Sequence, residues 1–158
     1  MFDLDAFLRS LILRLRTTHA AYFPFFETLY NTGCRYDDLL FSRWTITVNS
    51  TLTLKPCKYN NIRTFNFHDV NPFFISYLLT GSSAFFPIPY STLVRSFQFN
   101  AGAILKTEKN KNLLLHAFRH NYAKALKLSG LTDSQIQIQL GEKHLSSAMQ
   151  YIYSNISI

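Results

Sequence analysis

The segment "HAFRH" sets His116 and His120 four residues apart with Arg119 between them, and "LGEKHLSSAMQYIY" ends in two tyrosines, Tyr151 and Tyr153. On a helix the two histidines share a face, a spacing that can bind zinc, but the cation between them disfavours a metal and no third ligand suggests itself. Arg119 offers a planar fork of donors suited to phosphate, and His116, one turn earlier, can point at the same oxyanion. That arrangement suits phosphoryl transfer. A second guanidinium, Arg35 in "NTGCRYDDLL", follows a Thr32-Gly33 corner at which a side chain can be projected from a helix start. Its blander use is a surface ion pair with Asp38 three residues on, which contributes little.

Residues of these types act only when a fold holds them still. The chain has 158 residues, 47% hydrophobic and 16% aromatic, enough for one ordinary core and one domain over residues 1–158. Sixteen Lys+Arg against nine Asp+Glu leave a formal charge of +7 and a pI near 9.5, which favours a polyanionic partner. Cys34 and Cys57 form no CxxC pair, so a reduced, cytoplasmic setting is expected. The opening "LDAFLRSLILRLR" is too charged for a membrane span. Its Leu4, Phe7, Leu8, Leu11 and Leu15 recur at helical spacing, the pattern of an amphipathic helix packed on a core or laid on a membrane surface, the former being the commoner use.

A second helix is expected from Phe23 to Leu29, broken at Thr32-Gly33 and resumed through "RYDDLLFSR". "WTITV", "TLTLK" and "IRTFNF" then alternate as strands, with turn signals at Asn49-Ser50 and Asn60-Asn61. Helices follow from Asn71 through Leu79 and from about Ser91 to Leu105, separated by the loop "TGSSAFFPIPYS". "KTEKNKN" links to "LLLHAFRHNYAKALKLSG", a helix ending at Gly130. Thr132 and Gln135 have capping-box spacing ahead of "IQIQL", which Gly141 closes. The expected fold is α+β: mostly α-helical, with a small three-stranded antiparallel β-sheet inserted after the first two helices.

In this order the motifs resemble the catalytic domain of the tyrosine recombinases, or phage-type integrases. "LYNTGCRYDDLLFSRW" is similar to that family's first arginine motif, with Asp38 where the family usually has glutamate. "HAFRH" matches its His-x-x-Arg-His helix, and "LGEKHLSSAMQYIY" matches the segment leading to its nucleophilic tyrosine. The resemblance covers nearly the whole chain, and the family's N-terminal DNA-clamping domain is expected to be absent. It implies a catalytic set of Arg35, Lys55, His116, Arg119, Glu142 and Tyr151, with Tyr151 as nucleophile. Lys55 or Lys58, His120, His144 and Tyr153 stand as alternatives. Arg43, Lys58, Arg63 and Lys143 are expected at the DNA backbone.

What the resemblance implies is DNA breakage and rejoining through a 3′-phosphotyrosyl link, with no cofactor and no metal. The partner is double-stranded DNA at a specific recombination site, where copies of the chain assemble, with no role for a membrane. A telomere resolvase or type IB topoisomerase would use a related constellation, and a recombinase-like module without turnover would bind DNA only. Glu142 falls where the family has histidine or tryptophan, and a carboxylate there is expected to repel phosphate. A register shifted by two residues would put His144 in that place and make Tyr153 the nucleophile. The unshifted register keeps Leu145 and Ser146 on the family's usual positions and is preferred. Two residues turn a helix by about 200°, so only one tyrosine can face the phosphate.

Overall fold

A computed structural model describes residues 3–41, 43–47, 51–55, 63–66, 70, 89–105 and 115–153. The N-terminal helix α1, Leu4–Thr18, begins at Asp3, whose carboxylate accepts the backbone N–H of Ala6 at 3.0 Å. Leu4, Phe7, Leu8, Leu11, Ile12 and Leu15 are buried along one stripe. The apolar face therefore packs inside the protein, which leaves the membrane-surface reading without its contact face. No helix among the described residues is long and apolar enough to cross a membrane.

Helix α2, Phe23–Thr32, has Pro24 near its start and Gly33 as its left-handed cap at φ 62°. Gly33 is required twice. Its positive φ penalises any side chain, and a Cβ there would lie 2.5–2.8 Å from the side chain of Tyr122. After this corner comes α3, Tyr36–Phe41, the short helix in which the chain resumes beyond the break, and the sheet follows it.

Three antiparallel strands pair in the order β1, Arg43–Thr47, β2, Thr51–Lys55, and β3, Arg63–Asn66. The register sets Arg43 opposite Lys55, Leu52 opposite Phe65 and Leu54 opposite Arg63. The turns expected between these strands, the helix expected at 71–79, most of the loop after it and the link at 106–112 lie outside the described residues.

Helix α4, Tyr90–Leu105, lies against α1, and α5, His116–Leu128, packs on both α2 and the C-terminal pair. That pair is α6, Asp133–Leu140, and α7, Leu145–Tyr153. The capping box at Thr132 and Gln135 is complete, and Gly141 caps α6 at φ 69°.

Among the described residues the buried apolar side chains form two clusters. The larger joins α1, α2, α4 and the start of α5, where Phe26, Phe97 and Phe118 meet with ring centroids 5.8–6.3 Å apart. The smaller joins the end of α5 to α6 and α7 through Ala123, Ile136, Leu140, Ala148 and Ile152. Helix α5 belongs to both, and the residues between its two apolar halves, Arg119 and His120 among them, sit where the clusters meet. Asp5 reinforces the junction by accepting from Tyr30 at 2.7 Å and Asn121 at 3.0 Å, which ties α1 to α2 and α5. Burial, with the hydrogen bond and charge of Asp5, pushes the Tyr30 phenol up to about 12.

Candidate active site

Helices α2 and α6 end close together, each at a left-handed glycine and each with carbonyls that lack a helical partner. Arginines satisfy them. Arg119, only 1% exposed, donates through Nη1 to the Gly33 carbonyl at 2.7 Å and through Nη2 to the Leu140 carbonyl at 2.7 Å. Arg63 donates to the Thr32 carbonyl at 2.6 Å, the Gln139 carbonyl at 2.7 Å and the Cys34 sulfur at 3.3 Å. Two guanidiniums are thus drawn to the negative ends of two helix dipoles.

Arg63 is one of the residues expected at the DNA backbone. It is 4% exposed, stacked over the Phe65 ring at 4.6 Å, and holds the sheet to α2 and α6. A signal was present in the sequence: alternation along β3 turns Arg63 and Phe65 to the same inward face, and a cation facing inward must find acceptors.

Arg35 stands two residues beyond the Gly33 cap, and Glu142 one residue beyond the Gly141 cap. Oε1 of Glu142 accepts from Nη2 of Arg119 at 2.8 Å and also from Nη2 of Arg35. A second acid, Asp38, pairs with Arg35 Nη1 at 3.6 Å. Burial acts to lower the Arg35 guanidinium, but the charges of Glu142 and Asp38 outweigh it and leave it above its ordinary value. Arg119 is lowered, chiefly by burial and then by the cations Arg35 and Arg63. Its Nε is buried with no hydrogen-bond partner.

Tyr151 lies over this group. Its ring is 5.0 Å from the Arg119 guanidinium carbon, 4.8 Å from the His120 ring and 6.5 Å from the His116 ring. His120 also hydrogen-bonds to the backbone of Tyr151, though burial still lowers its pKa. His116 is lowered too, by burial first and then by Arg119 and Arg35. Both imidazoles are therefore neutral near physiological pH and can accept a proton. Tyr153 points elsewhere: it is exposed, and its hydroxyl donates to Asp133 at 2.9–3.0 Å.

Beside these groups opens a cavity of about 430 Å³ lined by Cys34, Arg35, Tyr36, Tyr90, Leu115, His116 and Arg119. Composition and motif order gave no hint of Tyr90, which reaches it by an edge-to-face contact with Tyr36 at 5.0 Å. Lys55 closes β2, and Arg43, its register partner, opens β1. Lys58 lies outside the described residues. Lys143 and His144 are exposed in the bend before α7. Among the described residues no three His, Cys, Asp or Glu side chains gather as a metal site.

No family model matches the sequence, and no curated protein matches it. Solved structures do. The chain superposes on the XerA recombinase with a TM-score of 0.71 at 18% identity, covering 98% of this chain and 59% of that one. For a lambda integrase dimer bound to a COC′ core site the TM-score is 0.69 at 16% identity, over 98% and 62% of the two chains. For the XerH site-specific recombinase bound to its difH substrate it is 0.61 at 21% identity, over 96% and 48%. The chain thus spans less than two thirds of the length of each. Its fold, across nearly its whole length, is that of the tyrosine recombinases and integrases.

Proposed function

We propose that this chain breaks and rejoins DNA as the catalytic part of a site-specific recombinase or integrase. The observation that carries the reading is the packing of one tyrosine, Tyr151, against Arg119, His116 and His120, while Tyr153 is turned to Asp133. The Tyr151 hydroxyl attacks a backbone phosphorus, forming a P–O bond to the phenolic oxygen, and the bond from phosphorus to the 5′ oxygen breaks. Charge that builds on the non-bridging oxygens is met by Arg35 and Arg119, which are already held in place. Neutral His116 accepts the phenolic proton, and Lys55 protonates the departing 5′ oxygen. The 3′-phosphotyrosyl link conserves the bond energy, so attack by another 5′ hydroxyl rejoins the strand.

Double-stranded DNA at a specific site is the partner in this account, with copies of the chain assembled on it. The net charge of +7 and the fold shared with structures solved on core-site and difH DNA support it. A second reading, a DNA-binding module without turnover, is favoured by the pairing of Glu142 with both arginines. A nicked suicide substrate carrying the protein's own site separates the two. The first predicts a covalent adduct that disappears in Tyr151→Phe; salt-dependent binding with no adduct on any substrate would support the second.

A further inference from the structure

A single carboxylate oxygen, Oε1 of Glu142, accepts from both Arg35 and Arg119. Two guanidiniums converging on one oxyanion is the arrangement that a phosphate oxygen would take between them. Glu142 is 6% exposed, so little water competes for its charge. Its backbone is fixed as well: Gly141 turns the chain out of α6, the Glu142 N–H donates to the Gln137 carbonyl at 3.0 Å, and Gln137 Nε2 returns to the Glu142 carbonyl at 3.3 Å. With Asp38 also on Arg35, two carboxylates face two guanidiniums, and the pair presents no net positive charge.

From this we infer that Glu142 is an internal stand-in for the phosphate: its carboxylate occupies the two-arginine site in the free protein, and DNA gains that site only by displacing it. The inference rests on the reading that Arg35 and Arg119 receive a phosphate. Displacement is feasible from the side chain alone, because the backbone of Glu142 is held by α6, Arg119 is held by the Gly33 and Leu140 carbonyls, and Arg35 keeps its pairing with Asp38. Glu142 thereby sets the threshold for activity. Binding to a site open in only a fraction of molecules is weakened by that fraction, so a site open in one molecule in ten binds roughly tenfold more weakly.

The test compares the parent chain with Glu142→Gln, which keeps an acceptor for Arg119 but removes the charge. Thermal unfolding is followed with millimolar inorganic phosphate against chloride of equal ionic strength. Phosphate should stabilise Glu142→Gln and leave the parent unmoved, and the variant should form the adduct on nicked DNA roughly tenfold faster. Equal stabilisation of both proteins, or of neither, overturns the inference. The parent arm needs no variant: a parent stabilised by phosphate beyond chloride already has an open site and overturns it alone, even if Glu142→Gln does not fold. Should phosphate stabilise only the variant while no protein forms an adduct, the stand-in role holds and the recombinase reading falls. A parent that forms the adduct faster than a folded Glu142→Gln would keep that reading and overturn the stand-in.

Discussion

At the scale of single residues, the site is a set of charges whose partners lie far away in sequence. Arg35, His116, Arg119 and Tyr151 were legible because their types and order form a pattern. Glu142 was visible only as a misfit, since nothing in a sequence tells that residues 107 positions apart will share an ion pair. The histidines carry a prediction about pH. Burial and nearby cations lower His116 and His120 in the folded state, so the unfolded chain takes up protons first as pH falls. Their contribution to stability is complete above the unfolded value of about 6.5 and is lost below it. Thermal unfolding should shift to lower temperature as the solution is acidified through that value, and His116→Gln should flatten part of the shift. An unchanged acid limb in that variant would contradict the assigned state. Arg63→Ala should destabilise the fold by about 1–3 kcal/mol through unpaired carbonyls, measured by urea unfolding, and change DNA affinity less than loss of an exposed cation.

Helices and strands were easier to read than their charges. Apolar periodicity located α1, α4 and α5, and capping chemistry located both ends of α6, because each of those signals acts over a few residues. The break before α3 was visible as well, because Thr32-Gly33 marks a corner, but what fixes the corner in place was not. Its cause is tertiary: Tyr122 of α5 fills the space beside Gly33, and Arg119 takes the Gly33 carbonyl. Gly33→Ala should therefore do more than strain the backbone. The positive φ and the collision with Tyr122 together should remove about 2–4 kcal/mol of stability. Because Arg35 follows that corner, any adduct formation should fall further than the loss of folded protein accounts for. Urea unfolding beside a rate measured per folded molecule would reveal the difference. A rate that merely tracks the folded fraction would show that the corner does not aim Arg35.

Across the molecule, two apolar clusters among the described residues share α5, and the candidate site lies at the junction where the ends of α2 and α6 converge. Composition revealed that a core and a polyanionic partner were in prospect, but not that the core divides, because helical periodicity marks a buried face without naming what covers it. The positive charge predicts DNA binding that weakens steeply with salt: a surface meeting about six phosphates loses roughly 10³ in affinity between about 50 and 200 mM salt. Equilibrium titrations at several salt concentrations would measure the slope, and a flat response would contradict a phosphate-led contact. Under the proposed function Tyr151 should become covalently joined to DNA. Mapping the adduct from a nicked suicide substrate by peptide mass spectrometry tests it most directly. The account predicts a 3′-phosphonucleotide on Tyr151, lost in Tyr151→Phe and retained in Tyr153→Phe; a nucleotide found on Tyr153, with Tyr151→Phe still reactive, would contradict it.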